Sequence, residues 1–287
     1  MMENGYEKMN IQWFPGHMTK TKRMIVAEIK NVDAVCEILD ARIPLSSRNP
    51  DVDELTAGKP RLVVLNRVDQ ADPEATKQWA AYFRARGYAV LESDAKGGMG
   101  TARFAGAVRE LLADKLRAYA EKGMAGRVVR VMILGIPNVG KSTFINKVAG
   151  RKTAKTEDRP GVTRSKQWVP IDKGLELLDT PGILWPKFED QQVGLRLALI
   201  GSIKDEILNI DELAIELIKF LKESYAGLLQ ERYDVDESVK EADILCQIAE
   251  NRKCISKGSE LDYSKAATLL IDEFRSGCLG RITLERP

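Results

Sequence analysis

The sequence is short of the residues that build several common kinds of site. Of its 287 residues one is histidine (His17) and four are cysteine (Cys36, Cys246, Cys254, Cys278). No two cysteines form a Cys-x-x-Cys pair, which argues against a disulfide scaffold or a zinc knuckle and fits a reducing cytosol. No apolar run approaches the roughly 18 residues needed to cross a bilayer. The opening Met1-Met2-Glu3-Asn4-Gly5-Tyr6-Glu7-Lys8 lacks a signal peptide's basic-then-apolar order, and its acids are unlike an organelle transit sequence. A large charge excess is also missing, since the formal net charge is +2.

Hydrophobic residues at 44% and charged residues at 30% predict a packed core in one large domain or two modest ones. Charge is unevenly spread. From residue 201 onward there are 12 Lys/Arg against 18 Asp/Glu, leaving 32 against 24 in positions 1–200. Two modules with different surfaces are one reading, the +8 module being the better suited to phosphate or nucleic acid. Ordinary variation along a solvated surface is the other.

Ala34–Leu39, Arg61–Leu65 and Val128–Leu134 read as buried strands, with amphipathic stretches near 72–86 and 101–120 between them. Strands spaced by helix-length segments predict βαβ units and a parallel sheet covered on both faces. From about 211 the strand signals stop. Leu213, Leu217, Ile218 and Leu221, then Ile244, Leu245 and Ile248, then Leu269, Leu270 and Phe274, recur at helical spacing, and Gly277 is placed to end the last helix. The expected organisation is an α/β domain over 1–204 and an all-helical domain over 205–287.

Gly135-Ile136-Pro137-Asn138-Val139-Gly140-Lys141-Ser142 fits G-x-x-x-x-G-K-S/T, directly after an apolar strand and before the helical Thr143-Phe144-Ile145-Asn146-Lys147-Val148. Such a loop curls backbone N–H groups around phosphate oxygens at a helix N-terminus. Lys141 reaches the β- and γ-phosphates, and the Ser142 hydroxyl holds Mg2+. Asn66-Arg67-Val68-Asp69 ends the strand 61–65. A carboxylate there accepts two hydrogen bonds from guanine, and adenine would leave it unpaired. Read alone, N-x-x-D is weak, because Asn and Asp also cap turns. Beside a phosphate loop it favours GTP over ATP. Downstream, Asp179-Thr180-Pro181-Gly182 suits an aspartate orienting a water on magnesium, with the Gly182 N–H meeting the γ-phosphate. In Pro160-Gly161-Val162-Thr163, Thr163 is placed to close over magnesium as a switch.

The order of these motifs is unusual. Ordinary GTPases run phosphate loop, switch threonine, D-x-x-G, N-K-x-D, then an S-A-K-type base loop. Here Asn66–Asp69 and the base-loop candidates Asp94, Ala95 and Lys96 precede the phosphate loop. Each motif lies at the carboxyl end of a strand, where parallel sheets bind ligands, so joining old termini and cutting one surface loop leaves the site intact. The fold class expected is therefore α/β: a circularly permuted P-loop GTPase domain, mostly parallel with helices on both faces, and a small helical C-terminal domain.

The permuted order, G-x-P-N-V-G-K-S, P-G-V-T, D-T-P-G and the opening Trp13-Phe14-Pro15-Gly16-His17-Met18 together resemble the bacterial ribosome biogenesis GTPase A family, also called YlqF, over nearly the whole chain. That resemblance implies a cytoplasmic GTPase that assists a late step of large-ribosomal-subunit assembly. It also implies a helical C-terminal domain that binds ribosomal RNA. No motif supports a membrane partner, DNA or transfer RNA. Arg67 stands where the family has lysine, and Asp94 where the base loop has serine. The −6 helical region predicts that any RNA contact there uses local basic spots such as Arg252, Lys253 and Lys257.

Ile183 follows D-T-P-G, where many GTPases carry a water-orienting glutamine, so intrinsic turnover should be slow. Two groups are candidates to complete the site. Asn138 occupies a position that coordinates potassium in a subset of GTPases, or it caps the turn; both readings stay open. His17, next to Pro-Gly, reads by chemistry alone first as a turn residue; the resemblance implies it is catalytic, alongside Lys141 and Thr163. The nucleotide set is then Asn66–Asp69, Asp94–Lys96, Asn138–Thr143 and Gly182, with Ser142, Thr163 and Asp179 around the metal. The rival reading is a nucleotide-gated rRNA-binding scaffold whose hydrolysis is incidental. Trp13, Phe14 and Trp185 suit base stacking or burial, and the basic run from Arg151 to Lys166 suits rRNA or a solvated loop.

Overall fold

The computed structural model describes residues 17–151, 167–185, 188–256 and 260–287, with the side chains of residues 17 and 18 left out. By contacts the chain forms two compact units. Phe188–Leu284 make one; the described residues from 17 to 185 make the other, together with Glu285–Pro287.

The larger unit is built on a six-stranded sheet: β1 (Ala34–Asp40), β2 (Arg61–Asn66), β3 (Ala89–Ser93), β4 (Val129–Leu134), β5 (Gln167–Asp172) and β6 (Leu175–Asp179), in spatial order β3-β2-β1-β4-β6-β5. All neighbours are parallel except β5, which pairs antiparallel with β6. The three strands read from the sequence are present, and they hold the centre. β3 is implied only by the base loop that follows it, and β5 has no counterpart in the sequence reading. Both are edge strands with mixed burial, so neither shows the continuous apolar run that marks a central strand.

Side chains alternate across this sheet. On one face Val35, Met132, Leu134, Leu178 and Ile183 cluster with Ile25 of α1 (His17–Glu28) and Val52 of α2 (Asp51–Leu55). On the same face Leu39, Val63 and Leu65 pack with Trp79, Ala80 and Phe83 of α3 (Pro73–Ala85). The alternate residues Cys36, Ile38, Leu62, Val64, Val131 and Ile133 are equally buried, so the other face is covered too. There α4 (Phe104–Leu111) lies against β2 and β3, α6 (Lys141–Val148) lies against β6, and Phe104 meets Phe144 edge-on. The stretch expected near 72–86 is α3, begun by an Asp72 cap and Pro73 at its first position. The stretch near 101–120 is broken at Leu112 into α4 and α5 (Ala113–Glu121).

The smaller unit contains α7 (Gln191–Leu199), α8 (Ile210–Ser224), α9 (Leu228–Tyr233), α10 (Glu241–Asn251) and α11 (Tyr263–Ser276). The apolar stripes read from the sequence form its core: Leu213, Leu217, Leu221, Ile244, Ile248, Leu270 and Phe274 are buried. Gly277 ends α11 with φ 83°, as its position predicts. The sequence reading put the division at 204/205. Packing of α7 on α8, and Arg275 of α11 holding the carbonyls of Ala198 and Leu199, draw the residues before 205 into the helical unit.

Candidate functional site

Five parallel strands end on one rim, and the loops that leave them carry the motifs. The phosphate loop follows β4. Asn138 takes φ 65°, which Asn tolerates, and Gly140 takes φ 84°. A Cβ on Gly140 would stand 2.5 Å from the Asn66 side-chain amide, so only glycine fits between the two motifs. Lys141 starts α6, only 6% exposed, and its ammonium pairs with the carboxylate of Asp179, 2% exposed, at the end of β6. Ser142 and Thr143 follow in the first turn of α6, half-buried.

The residues Asn66–Asp69 leave β2 beside this loop. Asn66 Nδ2 donates to the Val139 carbonyl at 2.8 Å, and its Oδ1 accepts the Ala95 N–H at 3.1 Å. One side chain thus joins the guanine motif, the phosphate loop and the base loop. Arg67, at φ 63°, donates to the Asn138 carbonyl at 3.1 Å. Val68 is buried and Asp69 exposed. Partial desolvation by its neighbours and the nearby Asp94 carboxylate push Asp69 above its usual range, and Arg67 and Arg42 partly offset this. A carboxylate crowded by another gains from donors, and the paired N–H groups of guanine are such donors. Asp94 turns the base loop by accepting the Gly97 N–H at 2.9 Å; Ala95 is buried and Lys96 exposed.

Gly182 approaches the phosphate loop so closely that a Cβ would meet the Pro137 nitrogen at 2.9 Å. The Ile183 N–H donates to the Gly135 carbonyl at 3.2 Å, and the Ile183 side chain is fully buried in the core against α1. It therefore packs inward and offers nothing to a water at the γ-phosphate. Thr163 lies outside the described residues, as do Trp13, Phe14, Lys257 and the basic run after Arg151; His17 is known only as the start of α1. Trp185 is half-buried.

The magnesium donors fit by chemistry: a hydroxyl and a carboxylate supply the oxygen ligands this ion prefers. Ser142 and Asp179 are the described residues that would hold it, once Lys141 has moved from Asp179 to the phosphates.

Sequence reasoning missed a third layer. Asp40 closes β1 fully buried and takes two hydrogen bonds from the Arg42 guanidinium, at 2.9 and 2.8 Å; its second oxygen stands 3.7 Å from Arg67 Nε. Although burial raises it, the Arg42 charge and hydrogen bonds hold Asp40 below the usual carboxylate range. Asn49, also buried, donates to the Ile183 carbonyl at 3.2 Å. Arg42 and the polar stretch Ser46 to Asn49, soon after an apolar strand, were the available signal.

Comparison with known proteins extends these observations. Residues 130–255 match the family described as 50S ribosome-binding GTPase. Over 280 residues the chain is 49% identical to the ribosome biogenesis GTPase A of Bacillus cereus, covering 97% of this chain and 95% of that protein. The Thermotoga maritima protein of the same name is 31% identical over 277 residues, covering 96% and 95%. A GDP-bound YlqF structure matches with TM-score 0.68 at 27% identity, covering 92% of this chain and 99% of that one. GNP-bound YlqF from T. maritima matches with TM-score 0.64, again at 27% identity, covering 93% and 98%. With permuted loops meeting on one rim and a resemblance that runs almost end to end, the chain belongs to the ribosome biogenesis GTPase A family and is a GTPase.

Proposed function

We propose that this GTPase binds the maturing large ribosomal subunit in its GTP form, hydrolyses GTP when ribosomal RNA completes the site, and then leaves, in the cytoplasm and at a late step of assembly. The observation that carries this reading is the burial of Ile183. With that side chain turned into the core, the attacking water needs an orienting group from elsewhere. The names of the relatives, which tie them to ribosome biogenesis, support the ribosomal particle as its source. The basic excess before residue 201 supports contact with RNA phosphates.

Within the site, Asp69 reads guanine, aided by Asn66 and the base loop of Asp94, Ala95 and Lys96. Lys141 and the N–H groups of residues 138–143 neutralise the phosphates. Ser142, Asp179 and Thr163 would hold Mg2+, which would supply charge to offset that of the phosphates, and Gly182 would sense the γ-phosphate. His17 orients the water, and a potassium ion at Asn138 is a further aid. In the helical unit Arg252 and Lys253 are both exposed to RNA, and Arg252 also lies over the Tyr233 ring and donates to the Arg232 carbonyl.

Turnover measured with and without large-subunit particles, in sodium and in potassium, tests this. Stimulation by particles that is lost in His17→Ala is expected. Equal turnover with and without particles sinks the proposal, and an unchanged stimulated rate in His17→Ala removes that residue from the mechanism. Potassium dependence decides the role of Asn138.

A further inference from the structure

The chain's last residues come back to the nucleotide-binding unit and end on both flanks of the guanine loop. Glu285–Pro287 belong to this unit by contacts, and Glu285 is 8% exposed. Its carboxylate accepts the N–H of Leu45 at 2.6 Å, the N–H of Ser46 at 2.8 Å and the Ser46 hydroxyl. Its carbonyl accepts the indole N–H of buried Trp79 at 3.1 Å. Arg286 pairs with Asp72 at 2.5 Å. Three donors converging on one carboxylate form a strong, charge-assisted anchor. Nothing in the nucleotide chemistry described above calls for it.

Its placement suggests what it does. Leu45 and Ser46 lie in the segment that leaves β1, a few residues after the Asp40–Arg42 pair, whose Asp40 carboxylate stands 3.7 Å from Arg67. Trp79 and Asp72 belong to α3 and its cap, the helix that begins directly after Asp69 and Gln70. The tail therefore braces, through Glu285, the segment after β1, whose Ala41 N–H donates to the Asn66 carbonyl at 2.8 Å, and, through Arg286, the cap of the helix after the guanine loop. Between them the loop holds a non-glycine residue, Arg67, at φ 63°, a conformation that surrounding contacts must maintain. Asp69 is exposed at its tip, so its aim depends on how well the two flanks are fixed.

We propose that Glu285 and Arg286 are positioning residues for the guanine-reading loop, so that discrimination in favour of guanine depends on the chain's last residues. This rests on the reading of Asp69 as the carboxylate that pairs with guanine. Misplacing a recognition group by about 1 Å can cost up to about 10²-fold, and the loss falls on the contact being misplaced. The exocyclic amine of guanine, absent from hypoxanthine, isolates that contact.

The test uses the full chain and compares affinities for GDP and inosine diphosphate alongside the melting temperature. Glu285→Ala should weaken GDP binding about tenfold and reduce the preference for GDP over inosine diphosphate at least about threefold. Arg286→Ala, at a half-exposed side chain, should shift the same ratio in the same direction by less. A purely structural tail would lower the melting temperature and weaken both nucleotides equally. A wild-type ratio in the folded variants overturns the proposal; should Glu285→Ala not fold, Arg286→Ala decides alone. Asp69→Ala separates the two readings. If it collapses the ratio while the tail variants do not, only the tail's role falls. If the ratio survives Asp69→Ala, the guanine reading falls and the tail's role with it.

Discussion

The two units solve opposite problems with the same chain. The sheet unit buries Glu37, Asp40, Arg42, Arg61, Lys141 and Asp179, each at 8% exposure or less. Buried polar residues of the helical unit, among those described, are Ser202 and Thr283, and its ion pairs Arg232–Glu273 and Lys222–Glu241 stand at the surface. A buried charge costs several kcal/mol in desolvation and is kept only where partners compensate it. In the sheet unit one such pair, Lys141 and Asp179, stands at the phosphate loop, whereas the helical unit is held by apolar stripes. Loss of one side chain should therefore damage function in the first and stability in the second.

Lys141→Ala should break the contrast most sharply. It removes the phosphate clamp and strands Asp179, so GTP turnover should fall by about 10²–10³-fold. Turnover at saturating GTP checks this, and a loss below tenfold would remove Lys141 from the clamp. Leu217→Ala is the converse. At a fully buried position it should cost about 2–5 kcal/mol of stability, read by denaturant unfolding, with GDP affinity unchanged. A parallel loss of GDP affinity would show that the units are not separable in this way. Smallest is Arg232→Ala, which removes two hydrogen bonds to Glu273, at 2.7 and 2.9 Å. Arg232 holds the Glu273 carboxyl below its ordinary value, against a smaller push from burial. A carboxylate lowered in the folded state adds stability above its unfolded pKa, and the gain is lost as pH falls through the folded value. Because this pair is partly solvated, the cost of Arg232→Ala should be about 0.5–1 kcal/mol at neutral pH, fading as the solution is acidified through the carboxylate range. A cost that does not change with pH would contradict the ion-pair account.

Much of the sheet unit was legible because its central strands are continuous apolar runs and its motifs are local. A phosphate loop needs a strand, two glycines, a lysine and a helix start within a few residues, and each requirement shows in the sequence. The helical stretch near 72–86 showed in its apolar spacing in the same way. Edge strands β3 and β5, half wet, carried no such run. The helical unit's stripes were plain, but its beginning was not, since Arg275 and the carbonyls of α7 are brought together only by folding. The Asp40–Arg42 pair and Asn49 hid in a mixed apolar and polar stretch that carries no motif.

The expectation of a guanine nucleotide and the permuted order of the loops came from residue type and spacing, because hydrogen-bonding groups and glycines act over a few bonds. Three features were decided only in the tertiary structure: the inward turn of Ile183, the pairing of Lys141 with Asp179, and the return of Glu285 to Ser46. Each joins residues far apart in the chain, and burial and long-range partners are properties of the packed molecule that no local pattern encodes.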